Sequence, residues 1–258
     1  MARPYYSKIA REWHEVTGST GGPLKKYVLN DVLLSKIGNI AGLSILELGA
    51  GNGYFTRLLV HRKSGTLPSR IVITDISGKL LQLGRAALPV SIADYRQLDV
   101  GKDFPFDAAE FDLVVATMVF NEIGSAALRR SLRECWRVLR QNGRLLATVT
   151  HPDFVDTLAK NGKLSQLGPE FWTMPGSGTL RVPVVPRSES EYESTFRETG
   201  FSYRSEAVYP STQVLSERPG LRHSGGAPLA LVYLCTKGED EIEKGVVHHG
   251  ATQREGSK

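Results

Sequence analysis

The sequence predicts a doubly wound α/β fold in which seven strands form one open, mostly parallel sheet with helices on both faces. Short apolar runs rich in β-branched residues alternate with segments whose apolar residues recur at helical spacing. Alternation of this kind produces right-handed crossovers between neighbouring parallel strands. A chain of 258 residues with 41% hydrophobic composition can bury one large core. We therefore expect a single active site.

The first strands and helices follow in order along the chain. Apolar residues from Leu24 to Ile37 recur at helical spacing and predict a helix. SILELG after it predicts a short buried strand that ends in glycines, and RIVITDIS predicts a second strand that ends at Asp75. KLLQLGRAA then predicts a helix, and ADYRQLDV predicts the third strand.

The central part of the sheet is predicted by the most apolar run of the chain. FDLVVATMVF is apolar almost throughout, as expected for a parallel strand covered on both faces. The helix after it has an apolar stripe that ends at Leu139, and Asn142-Gly143 is predicted to stop that helix. GRLLATVTH is predicted as the fifth strand.

The alternation is interrupted after His151. Residues 152–186 are rich in Pro and Gly, with FVDTLAK as one short helix and Phe171, Trp172 and Met174 as isolated apolar residues. This segment is predicted to be an inserted cap. ESEYESTFRETG then predicts a helix, and FSYRSEAVYP and PLALVYLCTKG predict the last two strands.

These patterns divide the chain into five parts. The last part has few apolar residues and nearly balanced charges, which predicts disorder, and its His248 and His249 lack neighbouring groups that would complete a metal site. The five parts are a helical lid over 1–38, a ligand-binding core over 39–151, the cap over 152–186, the rest of the core sheet over 187–237 and a tail over 238–258.

Composition favours a cytoplasmic enzyme. No apolar run approaches the roughly 20 residues that cross a bilayer, and MARPYYSKIAREW lacks the apolar stretch of a signal peptide. Cys135 and Cys235 are predicted to be core thiols in a reducing compartment. The net charge of +5 comes from scattered Lys and Arg residues, so a nucleic-acid partner is not expected. Oligomeric state is left open.

The glycine-rich segment ILELGAGNGYF carries the strongest functional signal. Gly49, Gly51 and Gly53 let the backbone turn tightly and approach a ligand, because a Cβ would intrude there. A dinucleotide fingerprint needs its third glycine one position later, where this chain has Tyr54. The acidic Glu47 would repel a pyrophosphate and attract a cationic amine. The pattern therefore disfavours NAD and favours a phosphate-free ligand that carries an ammonium group.

These residues resemble the class I S-adenosylmethionine-dependent methyltransferase family, most clearly over about residues 40–150. The resemblance implies that Glu47 to Gly53 line the amino acid and ribose portions of S-adenosylmethionine. It also implies that Asp75 accepts both ribose hydroxyls, unless it serves only as a helix cap. The cofactor residues it implies are Glu47, Gly49, Ala50, Gly51, Gly53, Asp75 and Ile76, with Asp99 and Val100 at the adenine and Thr117 and Met118 under the methionine portion.

Methyl transfer implied by this resemblance is an in-line displacement from a sulfonium, and its leaving group needs no acid. Positioning can supply about 7 to 11 kcal/mol, and a general base would add only ~10²- to 10⁴-fold. His151 is the candidate base, because it ends the fifth strand at the ligand-binding edge and titrates near neutrality. The following Pro152 also fits a turn in which His151 only caps the strand.

Each candidate acceptor contact has an alternative structural role. Family variants with a similar His-Pro and a Tyr-rich amino-terminal helix place Tyr5, Tyr6, Trp13 and His14 on a mobile helix over the cofactor, although the same aromatics could only pack a surface helix. Asn121 and Glu122 could touch substrate or cap the next helix. The apolar residues of the insertion could line an acceptor pocket or form the cap's own core. The predicted acceptor contacts are Tyr6, Trp13, Asn121, Phe154, Phe171 and Trp172.

The resemblance implies a methyltransferase acting on O, N or activated carbon of a small molecule, in specialised metabolism. The basic charge keeps an RNA or protein methyltransferase as the second hypothesis. Against it, ATMVFNEI lacks the Asn/Asp-Pro-Pro-Tyr type of motif that accompanies methylation of a flipped base. A third hypothesis is a protein that binds S-adenosylmethionine and transfers no methyl group, because fold and cofactor motif do not fix activity.

Overall fold

The structure, a computed structural model, describes residues 2–22, 24–62, 67–86, 93–176, 180–217 and 226–238. The predicted tail, apart from Gly238, lies outside these residues. The strands are β1 (Ser44–Leu48), β2 (Arg70–Asp75), β3 (Ala93–Gln97), β4 (Phe111–Thr117), β5 (Leu139–Thr150), β6 (Ser165–Gly168), β7 (Phe171–Pro175), β8 (Arg181–Val184), β9 (Phe201–Val208) and β10 (Ala230–Lys237).

Three α-helices precede β1, and the others lie in connections between strands. A π-helical turn, Lys25–Leu29, precedes the third helix, and a 3₁₀ turn, Phe120–Glu122, follows β4. The α-helices are α1 (Ala2–Lys8), α2 (Ala10–Thr17), α3 (Asn30–Ile37), α4 (Tyr54–Arg62), α5 (Gly78–Arg85), α6 (Ser125–Val138), α7 (Pro152–Lys160), α8 (Glu189–Thr199) and α9 (Thr212–Glu217).

The main sheet has seven strands in the order β3-β2-β1-β4-β5-β10-β9. The strands β1 to β5 pair in parallel, whereas β10 runs antiparallel to both β5 and β9. The predicted fold class, a doubly wound and mostly parallel sheet, is confirmed. The chain moves outward from β1 in both directions, so the order reverses between β1 and β4. Open α/β sheets bind ligands at such a reversal, beside the carboxyl ends of the strands.

Both faces of the central strands are buried, as the apolar runs predicted. Ile45 of β1 and Leu113 of β4 point to the face covered by α3 and α4, where Leu33 and Phe55 pack. Their neighbours in sequence point to the opposite face, which α6 and α8 cover. Strands covered in this way are rigid supports for the loops at their ends.

The end of α6 differs from the prediction. The helix stops at Val138, and Asn142 lies inside β5 with a positive φ of 61°. Pairing with β4 shifts at this point, from Phe111 opposite Leu139 to Leu113 opposite Arg144. Asn-Gly therefore marks an irregularity of the strand and not the helix terminus, because Asn tolerates the left-handed conformation that a bulge requires.

The inserted segment contains more structure than its composition predicted. Its short helix is confirmed within α7, but β6, β7 and β8 form a separate antiparallel sheet. Phe171 and Trp172 lie on β7 and are not isolated loop residues. The segment has its own apolar cluster and joins the main sheet where the backbone N–H of Val185 donates to the Asn121 carbonyl, at 2.7 Å.

Across the described ranges, no helix has both the length and the apolar character that spanning a membrane would require. In the same ranges, no three His, Cys, Asp or Glu side chains cluster as metal ligands would.

Candidate active site

A cavity of about 830 Å³ opens at the carboxyl edge of β1, β2 and β4, where the strand order reverses. Its volume lies in the range of small-molecule and cofactor sites. One side is formed by the ends of these strands, and the other by the amino-terminal helices and the inserted segment. The predicted cofactor residues that line it are Gly49, Ala50, Gly51, Asp75, Ile76, Asp99, Val100, Thr117 and Met118.

The turn after β1 forms the floor of this cavity. Gly49, Gly51 and Gly53 all have φ between 58° and 68°, a left-handed conformation that glycine adopts without steric cost. A methyl group on Gly49 would collide with the Val119 side chain, and one on Gly51 would lie 3.3 Å from Trp13 Nε1. Gly53 turns the chain into α4 and does not line the cavity. The backbone of Gly49 and Gly51 is itself part of the cavity wall.

Asp75 ends β2 and is fixed against this turn. Its Oδ2 accepts the backbone N–H of Gly51 and its Oδ1 accepts that of Ser77, each at 2.8 Å. Burial raises the pKa of Asp75, while these two N–H groups favour the charged form. Helix α5 is capped by the Ser77 hydroxyl and not by Asp75. The carboxylate is therefore held at the cavity wall.

Glu47 lies in β1 and is almost fully buried, with 1% of its surface exposed. The Thr56 hydroxyl donates to Oε2, whereas Oε1 finds no hydrogen-bond partner within the described ranges. Burial raises the pKa of Glu47 to about 7, against the opposing charges of Lys25 and Arg57. Its side chain is not part of the cavity lining. A buried carboxylate oxygen without a partner is suited to receive a cationic group from a ligand.

Lys25 was missed by the sequence reasoning. Its Nζ lies 4.9 Å from the centre of the Tyr54 ring and interacts electrostatically with Glu122, Glu47 and Asp75. Burial lowers the pKa of Lys25, which these three carboxylates oppose. The π-helical turn that carries Lys25 has no recognisable sequence signal, so only the tertiary structure brings this ammonium group into the cavity.

The part of the cavity beyond Asp75 is lined mainly by apolar side chains. Ile76, Leu98 and Val100 line it together with the half-buried Asp99, whose Oδ1 accepts the Gly101 N–H at 3.0 Å. An apolar slot with one carboxylate suits a purine ring with an amino group. With the glycine turn, Asp75 and the unpaired Glu47 oxygen, the residues present fit a sulfonium nucleoside that carries an ammonium group.

Fold and site together define a nucleoside-binding α/β enzyme of the type that uses S-adenosylmethionine. Residues 46–147 match the family model described as "Methyltransferase domain". Residues 46–147 of this chain are therefore a methyltransferase domain of the class I S-adenosylmethionine-dependent type. The resemblance inferred from the glycine motif and the cofactor assignment are both confirmed.

Three similar proteins illustrate the range of this family. Lovastatin diketide synthase mokB of Monascus pilosus is 28% identical over 164 residues, which are 61% of this chain but only 6% of the synthase. An uncharacterized methyltransferase of Mycobacterium tuberculosis is 26% identical over 76% of this chain and 83% of its own length. The crystal structure of an S-adenosylmethionine-dependent methyltransferase from Mesorhizobium loti superposes with a TM-score of 0.65 at 20% identity, covering 85% of this chain and all of that one.

His151 follows β5 and is the N-cap of α7. Its Nδ1 accepts the backbone N–H of Asp153 at 3.1 Å, and its side chain is not among those that line the cavity. Burial lowers the pKa of His151, against the neighbouring charges of Asp153 and Glu189. The structure thus shows the capping role, and catalysis by His151 stays a prediction.

The predicted acceptor contacts divide into two groups. Tyr6, Trp13, Asn121 and Phe154 line the cavity. The half-buried Phe171 and Trp172 do not line it, and Trp172 packs in the inserted segment's own apolar cluster. That packing corresponds to the structural alternative considered for the insertion.

Two ionisable groups of the cavity lining are hydrogen-bonded to each other. The Tyr6 hydroxyl donates to Glu122 Oε2 at 2.6 Å, which ties α1 to the turn after β4. Tyr6 also packs edge-on against Trp13, with ring centres 5.4 Å apart. The N-cap of α6 is Gly124, so the side chains of Asn121 and Glu122 do not cap that helix.

Proposed function

We propose that this chain transfers the methyl group of S-adenosylmethionine to oxygen, nitrogen or an activated carbon of a small molecule with an apolar body. The observation that carries the proposal is the continuity of the cavity. The wall formed by Gly49, Asp75 and Asp99 runs without interruption into a chamber formed mainly by apolar side chains. The chamber residues are Phe154, Leu158, Met174, Leu180 and Val182.

The residues of the cavity would hold both reactants in place. Asp75 and Asp99, which line the cavity, would hold the ribose and the adenine. Glu47 is buried behind the lining, and its unpartnered Oε1 would pair with the amino group of the cofactor. When bound, S-adenosylmethionine supplies a methyl group activated by a sulfonium. Alignment of two reactants in this way can account for about 7 to 11 kcal/mol of the barrier. The aromatic side chains of α1 and α2 and the inserted segment exclude water from the chamber.

The comparisons favour a small acceptor without naming it. The Monascus pilosus synthase is by its name an enzyme of polyketide assembly, and the mycobacterial relative is a methyltransferase of similar length. Methylation of a small molecule within a reducing cytoplasm agrees with the buried, free thiols of Cys135 and Cys235. RNA or protein methylation, and cofactor binding without transfer, are the competing functions.

The test is to incubate the protein with methyl-labelled S-adenosylmethionine and fractionated cell extract, and to follow the label. We expect label in a small-molecule fraction and, at subsaturating S-adenosylmethionine, about 5- to 150-fold less of it with Asp75→Ala, which loses hydrogen bonds worth about 1 to 3 kcal/mol. Asp94→Ala is the control, because Asp94 pairs with Arg96 at the protein surface. Label in RNA or protein would contradict the proposal, and so would cofactor binding without transfer.

A further inference from the structure

Glu122 stands where the cofactor half of the cavity meets the inserted segment. It belongs to the 3₁₀ turn after β4, and the carbonyl of its neighbour Asn121 accepts the Val185 N–H from the chain just after β8. Gly124, two residues further on, lies against Glu170 in the connection between β6 and β7. Glu122 itself lines the cavity. Its carboxylate therefore lies beside the space where cofactor and acceptor must meet.

The position of this carboxylate is fixed by one hydrogen bond. Tyr6 donates to Oε2 at 2.6 Å, and the Tyr6 side chain is held in turn by Trp13 and by the apolar contacts of α1 with α5. This arrangement engages one oxygen of Glu122 and holds the side chain in the cavity lining. Oε1 is then the atom through which Glu122 can exchange a proton with an acceptor.

We propose that Glu122 is the general base of the methyl transfer, held in position by Tyr6. The inference rests on the proposed function and extends it, because it identifies the acceptor as a nucleophile that reaches the site protonated. Such acceptors are neutral hydroxyls, protonated amines and activated C–H groups. A nucleophile that arrives already ionised needs no base.

The proton balance of the step follows from this assignment. The acceptor forms a bond from its oxygen, nitrogen or carbon to the methyl carbon, and the bond between methyl and sulfur breaks with its electron pair moving to sulfur. The proton of the acceptor moves to Glu122 Oε1 and later to water. S-adenosylhomocysteine and the methylated acceptor are the two products.

Four ionisable groups surround Glu122 and determine its protonation. Burial raises the pKa of Glu122 to about 8, and the negative charge of Asp75 acts in the same direction. The Tyr6 hydrogen bond and the Lys25 charge lower it. Tyr5, on the same helix as Tyr6, also interacts with the Glu122 charge. Because a base must be ionised to accept a proton, the rate should rise with pH through about 8.

The experiment compares the full chain with Glu122→Gln, Tyr6→Phe and a matched control. Glu170→Gln is the control, because Glu170 is an exposed carboxylate of the inserted segment near the same turn. Calorimetry with S-adenosylhomocysteine checks that the cofactor half is intact, and we expect affinities within about twofold of the wild type. Initial rates are then measured from pH 6 to 9.5 with labelled S-adenosylmethionine and the methyl-accepting extract fraction.

We expect Glu122→Gln to lower the rate ~10²- to 10⁴-fold, the usual contribution of a general base, and to remove the rise near pH 8. The Tyr6 hydrogen bond stabilises the ionised carboxylate of Glu122. Its loss in Tyr6→Phe should raise the pKa of Glu122 and move the rise in rate to higher pH. Glu170→Gln should behave as the wild type. Infrared difference spectra of the cofactor-free protein should show a carboxyl group that titrates above pH 7 and disappears in Glu122→Gln.

The inference fails if Glu122→Gln keeps the wild-type rate or the wild-type pH profile. It also fails if the wild type shows no carboxyl band that titrates near pH 8 and is lost in Glu122→Gln, as distinct from the band of Glu47 near pH 7. Failure of the proposed function gives a different result, since the wild-type protein itself would then bind S-adenosylhomocysteine without transferring label. Loss of S-adenosylhomocysteine binding in Glu122→Gln would assign Glu122 to the cofactor site and overturn its role as base.

Discussion

Glu47 and Asp75 belong to neighbouring strands of one sheet, yet their hydrogen bonds suit them to different tasks. Both oxygens of Asp75 accept backbone N–H groups, which fix the carboxylate and favour its charged form against the burial that raises its pKa. Glu47 has one oxygen bonded to Thr56 and a second without a partner within the described ranges. A cationic ligand would provide a partner for the free oxygen of Glu47. The free energy of ligand binding should therefore depend on whether Glu47 is ionised.

Cofactor affinity should therefore rise with pH through about 7, the pKa to which burial raises Glu47. Below that pH, Glu47 is protonated and cannot pair with the ligand's ammonium group. Calorimetric titration of S-adenosylmethionine at pH 6, 7 and 8 measures this dependence. Glu47→Gln should bind more weakly and lose most of the pH dependence. If the affinity of Glu47→Gln depended on pH as that of the wild type does, Glu47 would not be the group that pairs with the ligand.

Gly49→Ala tests whether the turn must lie close to a ligand. The new methyl group would collide with Val119 and would hold a non-glycine residue at a φ of 58°. We expect a loss of about 1 to 2 kcal/mol from the left-handed conformation and a further 1 to 3 kcal/mol from the collision. Binding of S-adenosylhomocysteine should weaken at least about tenfold, the equivalent of 1.4 kcal/mol.

Gly162→Ala is the matched control for this substitution. Gly162 has a φ of 63°, and an added methyl group would meet no atom within 4 Å. It should lose only the conformational part of the stability, as measured by urea unfolding, and should keep its ligand affinity. Equal losses of unfolding free energy in Gly49→Ala and Gly162→Ala would show that the collision at Gly49 is relieved by movement of Val119.

The hydrogen bonds at the first turn of a helix set its orientation beside the site, as α7 shows. Helix α7 begins at the point where β5 ends, and the His151 ring accepts a backbone N–H that would otherwise lack a partner. This bond sets the direction in which α7 leaves the main sheet. Phe154 and Leu158 on that helix then reach the cavity. A polar residue at the strand end thus positions the apolar chamber.

His151→Ala should lower the free energy of unfolding by about 0.5 to 2 kcal/mol, the usual cost of a lost N-cap, whereas His151→Asn should restore most of it. Burial lowers the pKa of His151, so the unfolded chain takes up a proton more readily than the folded one. The stability that His151 provides should therefore be complete above about pH 6.5 and fall below it. Thermal unfolding at pH 5.5 and 7.5 measures both effects.

If His151 were the general base, the same two variants would give a different result. Asn caps a helix but cannot act as a base, so both substitutions would slow methyl transfer if His151 accepted the proton. We expect His151→Asn to transfer methyl at nearly the wild-type rate. A loss of a hundredfold or more in both variants would favour His151 over Glu122 as the base.

At the scale of the whole molecule, the cavity is enclosed by parts of the chain that are distant in sequence. Helices α1 and α2, the edge of the main sheet and the inserted segment each contribute lining side chains. Tyr6 links the first of these to the second through Glu122. A ligand that contacts all three should stabilise the folded chain as one unit.

S-adenosylhomocysteine at one hundred times its dissociation constant should stabilise the fold by ~2.7 kcal/mol. For a chain of this size, that corresponds to an increase in Tm of about 5 to 10 °C. NAD should give no increase, because Glu47 and Tyr54 replace the residues that a dinucleotide needs. Differential scanning calorimetry measures both ligands. Stabilisation by NAD would contradict the assignment of the site.

The sequence by itself determined the sheet, the glycine turn and the class of ligand. A strand that is buried on both faces, such as β4, can be recognised from sequence because nearly all of its residues are apolar. The turn with Gly49 and Gly51 and, separately, Asp75 at the end of β2 could likewise be found from sequence, since each is a local signal. The contact between them, which joins positions 24 apart, is made by the fold. These features are contained in windows of about ten residues.

Only the tertiary structure decided which side chains meet in the cavity. The strands β6 to β8 are short, and β7 and β8 contain proline, so their pairing depends on contacts that no local pattern records. Lys25 and Glu122 are nearly a hundred positions apart, and Tyr6 is further still from Glu122. Their charges and hydrogen bonds arise because packing brings α1, the π-helical turn and the end of β4 to one edge of the sheet. Long-range packing, which no local sequence pattern encodes, therefore assembled the acceptor side of the site.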